Sequence, residues 1–200
     1  MLEVLRIAKL NRNAKLYLIY RFINSLWFIE ASWYFFWGEF LSYSQIGVVF
    51  SWLVVLGILA EIPTGVIADK WGRKASVILG TILLTLGGIV NSVTRFGWEL
   101  VIGTSLMSIG RAFISGALEA MVYDSMKKDR LEKSWDKLMN TRIQLSLVAY
   151  SIAVPIGGFA YSYFFRLPNI LETLVLAVSI YIATQFVDSE ISRKQKFQIV

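Results

Sequence analysis

The sequence predicts an all-α membrane protein, a bundle of six transmembrane helices with both termini on the cytoplasmic side. Three observations predict this fold: a very apolar composition, six long apolar spans, and positive charges that alternate between the connecting loops. Of the 200 residues, 56% are hydrophobic and 17% are charged, and the mean hydropathy is +0.58. This composition indicates that lipid is the solvent for most of the surface.

The apolar spans set the number of crossings. A hydrocarbon core of roughly 30 Å needs about 20 apolar residues per helix. The predicted helices cover residues 16–37, 46–68, 75–94, 98–122, 138–164 and 169–187. We therefore expect residues 1–200 to form a single six-helix domain.

The positive charges predict the orientation, because Lys and Arg in short loops stay on the cytoplasmic side of a membrane. With six crossings, one side holds fifteen of them: Arg6, Lys9, Arg12, Lys15, Lys70, Arg73, Lys74, Lys127, Lys128, Arg130, Lys133, Lys137, Arg193, Lys194 and Lys196. The other side holds Arg95 and Arg166. This asymmetry predicts cytoplasmic N and C termini and explains the net charge of +6 without a nucleic-acid partner.

The residue inventory excludes several function classes. The chain contains no Cys and no His, so disulfides, thiolate chemistry and the commonest metal ligands and general bases are absent. We expect no metal site, no cofactor and no enzymatic activity. Glycines are frequent in the third and fourth spans, where small residues let helices pack closely: Gly80, Gly87, Gly88, Gly103, Gly110 and Gly116.

The loop after the second span carries the most specific motif. It reads Gly65-Val66-Ile67-Ala68-Asp69-Lys70-Trp71-Gly72-Arg73-Lys74, a Gly-x-x-x-Asp-x-x-Gly-Arg-Lys pattern. Gly72 suits a tight turn, and Arg73 and Lys74 suit the lipid headgroup region. The pattern closely resembles the cytoplasmic loop signature of the major facilitator superfamily of secondary transporters.

Two further stretches resemble one bacterial and archaeal branch of that superfamily. They are Glu61-Ile62-Pro63-Thr64-Gly65 and Ser115-Gly116-Ala117-Leu118-Glu119-Ala120, the latter running on to Tyr123-Asp124. The resemblance implies that Gly65, Asp69, Gly72, Arg73 and Lys74 form a gating motif. By the same resemblance, Asp69 and Arg73 belong to a charge network that holds one conformation and breaks during alternating access.

The resemblance also implies a function. It covers the N-terminal six-helix half of a transporter that lies in the cell membrane and moves a small solute by secondary active transport, with proton-coupled efflux as one mode. A homodimer or a missing C-terminal half would complete the transport path between two halves. The alternative is a truncated or regulatory half that does not transport and assembles with another membrane subunit.

Charged residues inside the spans are the candidate site residues, because a charge in the bilayer usually faces a cavity or a partner charge. We expect Arg111 to face a cavity near mid-depth. We expect Arg142 to pair with Glu119 or Glu61, forming with Asp124 a set of ion pairs at the cytoplasmic gate.

The first span carries a second candidate surface. Trp27, Glu30, Tyr34 and Trp37 are spaced by three or four residues, which places them on one face of a continuous helix. Such a face could bind a cationic or aromatic substrate, and Glu30, Tyr34 and Arg111 are the candidate substrate or proton site. The other interpretation of this face is an interfacial aromatic stripe in contact with lipid.

Overall fold

The computed structural model describes residues 11–188, and this part of the chain is helical without a strand. The α-helices are α1 (Arg12–Asn24), α2 (Trp33–Gly38), α3 (Tyr43–Trp71), α4 (Arg73–Val93), α5 (Gly97–Ile114), α6 (Ala117–Lys128), α7 (Trp135–Tyr163) and α8 (Leu167–Gln185). Single 3-10 turns occupy Phe28–Ala31 and Glu132–Ser134. Five of the basic residues used for the topology lie outside the described residues: Arg6, Lys9, Arg193, Lys194 and Lys196.

Within residues 11–188, five helical stretches are long and apolar enough to cross a membrane. They are Tyr43–Trp71, Arg73–Val93, Gly97–Lys128, Glu132–Tyr163 and Leu167–Gln185. These stretches overlap the second to sixth predicted spans. The prediction of an all-α, multi-pass membrane fold is therefore confirmed.

The prediction of one continuous helix over residues 16–37 is wrong. Helix α1 ends after Asn24, and the chain continues through an irregular stretch, the 3-10 turn and the short helix α2. Side chains take over the last carbonyls of α1: Asn24 Nδ2 donates to the Tyr20 carbonyl at 2.9 Å, and Ser25 Oγ donates to that of Arg21 at 2.7 Å. Such local bonds compete with the helical pattern. A sixth crossing by this interrupted segment stays a prediction.

The fourth predicted span, 98–122, is also interrupted. Helix α5 ends at Ile114, and α6 begins at Ala117. Between them Gly116 has φ +66°, a backbone conformation that costs glycine little and other residues more. Gly116 therefore makes a bend, whereas the sequence predicted that it lies in a helix contact.

The other glycines of these spans do bring two helices together, as expected. A methyl group on Gly110 would lie 2.7 Å from the Gly80 carbonyl oxygen and 2.9 Å from the Leu84 amide nitrogen. A methyl group on Gly80 would in turn lie 2.6 Å from the Gly110 carbonyl oxygen. These distances leave no room for a side chain, so α4 and α5 are in backbone contact along this line.

The remaining helices bury less surface. In the most apolar part of α3, only 17% is buried inside the protein. The corresponding share for the stretch Glu132–Tyr163, which contains α7, is 22%. The main apolar core is built mainly by α1, α4, α5, α6 and α8, and its fully buried side chains include Tyr17, Leu118 and Leu138 of α7. The exposed apolar faces of α3 and α7 fit a lipid or helix neighbour.

We expect Gly110→Ala to lower the free energy of unfolding by about 1–3 kcal/mol, because the methyl group overpacks the contact between α4 and α5. The matched control is Gly47→Ala on α3, where no atom of residues 11–188 lies within 4 Å of the added methyl group. The measurement is an unfolding titration with SDS in mixed micelles. Equal stability of the two variants would contradict the close α4–α5 contact.

Candidate functional site

A partly open cavity of about 560 Å³ lies between the helices. Its walls come from the interrupted first segment and from α3, α4, α5 and α8. The lining residues are Trp27, Ile29, Glu30, Trp33, Trp37, Phe50, Leu53, Val54, Gly88, Asn91, Thr104, Met107, Ser108, Arg111, Asn169, Glu172 and Thr173. Its volume falls in the range of small-molecule sites.

Three charged side chains face this cavity: Glu30, Arg111 and Glu172. Both carboxylates interact electrostatically with Arg111, but within residues 11–188 no ion pair under 4 Å joins either of them to it. The guanidinium carbon of Arg111 lies 5.9 Å from the ring centroid of Trp27, a cation–π distance. The three charges therefore lie near one another without closing into direct pairs.

The interruption of the first segment positions one of these carboxylates. The Ile29 amide, at the start of the 3-10 turn, donates to Glu172 Oε2 at 3.3 Å. A carboxylate is a good partner for an amide that has left the helical pattern. The turn also packs tightly on α7, because Gly157 has no side chain and the Phe28 carbonyl lies directly against it.

Two buried amide side chains at the cavity have unsatisfied atoms. Asn91 is 5% exposed and Asn169 is 8% exposed. Within residues 11–188, Asn91 Oδ1 and Asn169 Nδ2 have no hydrogen-bond partner. Buried polar atoms are nearly always paired. Asn91 Oδ1 packs against Gly103 of α5, where an added methyl group would clash with it, so this amide contributes to the close α4–α5 contact.

The structure brings two of the three predicted site residues together. Glu30 and Arg111 line the same cavity, whereas Tyr34 does not. Tyr34 stacks on Tyr43 with ring centroids 5.8 Å apart and lines a different cavity beside Glu39. The expected single face of Trp27, Glu30, Tyr34 and Trp37 does not form, because the helix ends before Trp27. The roles of these residues stay predictions.

Sequence reasoning missed Glu172. It lies in the sixth predicted span, 169–187, and the rule applied to Glu30 and Arg111 applies to it equally. The buried amides Asn91 and Asn169 gave a weaker signal, because asparagine side chains inside membrane helices often form hydrogen bonds with neighbouring helices.

The predicted gate pairs form only in part. Glu119 pairs with Arg21 of α1 and also accepts a hydrogen bond from the Tyr17 hydroxyl at 3.2 Å. Within residues 11–188 no ion pair under 4 Å joins Arg142 to Glu119 or Glu61, and Arg142 Nε is buried without a partner. The expected pairing of Arg142 is therefore wrong. Helix α1 places Arg21 beside Glu119, and Glu119 pairs with Arg21 instead.

The loop motif makes the turn that was expected. Gly72 has φ +98° and ψ 148°, a region that is essentially restricted to glycine. After the turn, the Lys74 amide donates to Asp188 Oδ1 at 3.1 Å, so the carboxylate of Asp188 satisfies an amide at the start of α4. The segment that follows α8 is thereby tied to the motif.

Arg73 pairs with Asp124 of α6, and both side chains are about four-fifths buried. Asp69 is exposed and forms no ion pair under 4 Å with Arg73 within residues 11–188. A second cavity, of about 360 Å³, lies beside the motif and is lined by Glu61, Gly65, Asp69 and Arg73 together with small residues of α5 and α6. The gating role of the motif stays a prediction.

Together these features define a class of protein: a multi-pass helical membrane protein with a solute-sized, charged cavity inside its bundle. Residues 16–198 match the sequence model described as Major Facilitator Superfamily, and the chain belongs to that superfamily. The prediction made from the loop motif is thereby confirmed.

Curated relatives match shorter parts of the chain. A protein named "Uncharacterized transporter" from Buchnera aphidicola subsp. Schizaphis graminum is 26% identical over 54% of this chain and 27% of its own length. A like-named protein from Buchnera aphidicola subsp. Acyrthosiphon pisum is 30% identical over 38% of this chain and 19% of its own. "Sugar carrier protein C" of Ricinus communis is 32% identical over 30% of this chain and 12% of its own. The chain thus covers less than a third of each relative.

We expect Arg73 and Asp124 to be coupled energetically. In a double-mutant cycle of Arg73→Gln and Asp124→Asn, their coupling energy should be about 0.5–3 kcal/mol, because the pair is largely shielded from water. A matched cycle of Arg73→Gln with Asp69→Asn should give a value near zero. The measurement is the free energy of unfolding in mixed micelles, and stronger coupling to Asp69 would contradict the observed pairing.

Proposed function

We propose that this chain is one six-helix half of a secondary transporter that moves a small organic solute across the cell membrane by alternating access. The observation that carries the proposal is the 560 Å³ cavity, in which charged and amide side chains face an aromatic wall. Arg111 is 14 residues into the stretch that begins at Gly97, or about 21 Å along a helix. An ionisable residue at such depth usually faces a cavity or a partner charge and marks a functional site.

The loop motif supports a gate at the ends of α3 and α4 that lie away from the cavity. Arg73 and Asp124 join the start of α4 to α6, so breaking this pair would free α6 to move relative to the α3–α4 turn. The bend at Gly116 lies between α5, which carries Arg111, and α6, which carries Asp124. We propose that this bend lets the gate move while the cavity wall stays in place.

A complete transport path needs a second six-helix unit. In such transporters the path runs between two halves that are related by an axis along the membrane normal. We propose that a second copy of this chain or a separate C-terminal half supplies it. The weakly buried helices α3 and α7 are the surfaces available for this contact. The positive charges favour cytoplasmic termini.

The coupling we propose is to protons, in an efflux mode, with the cavity carboxylates Glu30 and Glu172 as the groups that could carry them. Members of this superfamily act as transporters and not as enzymes, and we propose the same for this chain. The cysteine-free sequence offers a direct test, because any introduced thiol is the only one in the chain.

We expect Ser108→Cys, inside the cavity, to react with a membrane-impermeant maleimide from both faces of the membrane. Alternating access exposes the cavity to each side in turn, so right-side-out and inside-out vesicles should both be labelled. The control is Val178→Cys on α8, whose exposed side chain should stay unlabelled in lipid. Labelling of Ser108→Cys from one face only, under every condition, would contradict alternating access.

A further inference from the structure

Carboxyl groups outnumber cations in the cavity. Among the described residues, its lining contains Glu30 and Glu172 but a single cation, Arg111. In a medium of low dielectric constant, a carboxylate without a counterion is costly and tends to take up a proton. Glu172 also receives the Ile29 amide, but that bond adds no full positive charge. A bound cation would therefore let both carboxylates be ionised together.

The wall near these carboxylates is aromatic. Trp27, Trp33, Trp37 and Phe50 all line the cavity, and Trp33 stacks on Phe50 with an interplanar angle of 30°. Indole faces attract cations, and Arg111 already uses the Trp27 face in this way. Trp33 and Trp37 meet edge to face, 5.6 Å apart, which gives a rigid wall against which a flat ring can pack.

From these two observations, and resting on the proposed transport function, we propose that the substrate is an aromatic organic amine in its ammonium form. The ammonium lies beside Glu30 and Glu172 and compensates the second carboxylate. The ring packs against Trp33 and Phe50.

Two other solute classes fit the cavity less well. An anion would add a third negative charge to a site with one cation. A neutral sugar could use the aromatic wall, but it would leave one carboxylate without a cationic partner. The named sugar carrier among the relatives makes this second class an outcome to test.

The test uses four probes on the full chain in lipid nanodiscs at pH 7.5, with affinity measured by isothermal titration calorimetry. Tyramine carries the ammonium, tyrosol replaces it with a hydroxyl, 4-hydroxyphenylacetate replaces it with a carboxylate, and glucose represents sugars. We expect tyramine to bind at least tenfold more tightly than tyrosol, and 4-hydroxyphenylacetate and glucose to bind more weakly still.

Two variants test whether the carboxylates cause this preference. Glu30→Gln and Glu172→Gln should each lower the tyramine affinity at least fivefold more than the tyrosol affinity, because only the ammonium needs the charge. Glu39→Gln is the matched control, since Glu39 is exposed and lines a different cavity. Far-UV circular dichroism and the elution volume establish that each variant is folded.

The outcomes separate this inference from the transport proposal. Binding of glucose or of 4-hydroxyphenylacetate in preference to tyramine would overturn the amine assignment and leave a solute site intact. Equal binding of tyramine and tyrosol, no binding of any probe, or an unchanged preference in both carboxylate variants would also overturn it. One-sided labelling of Ser108→Cys would instead count against alternating access, whatever the probes do.

Discussion

The interruption of the first predicted span is the constraint on which the candidate site depends. Backbone groups that leave a helix within a bilayer must find partners inside the protein. Here Asn24 and Ser25 satisfy the carbonyls at the end of α1, and Glu172 of α8 accepts the Ile29 amide. Since Gly157 lets the Phe28 carbonyl approach α7, the turn is held between two helices. The break in the helix would be costly without these partners, and with them it fixes the Glu172 carboxylate at the cavity wall.

Within the described residues, charged side chains form direct ion pairs near the α3–α4 turn and on α1 but not at the cavity. Near the α3–α4 turn, Arg73 pairs with Asp124, and on α1 Arg21 pairs with Glu119. In the cavity, Arg111 is near two carboxylates without a pair under 4 Å within the described residues. Direct pairs fix the relative positions of helices, whereas separated charges keep part of their capacity to interact with a ligand. This contrast favours a role in holding helices together for the first group and a binding role for the second.

Particular residues show how far sequence reasoning reached. The Gly72 turn followed from a local backbone requirement, and the close approach of Gly80 and Gly110 from the absence of side chains. Glu172 was predictable, because a charge in an apolar span is visible without a structure. The pairing of Glu119 was not, because Arg21 and Arg142 are equally plausible partners until the rotation and neighbours of α1 are known.

The sequence by itself determined the superfamily, the membrane environment, the approximate positions of five helical spans and the tight turn of the loop motif. These depend on local composition, span length and single-residue backbone preferences, which act over a few neighbouring residues. Only the tertiary structure decided where the first and fourth spans break, which charges pair, and that Glu30, Arg111 and Glu172 share a cavity. Such features depend on contacts between residues far apart in the chain, as the bond between Ile29 and Glu172 illustrates, and no local pattern specifies them.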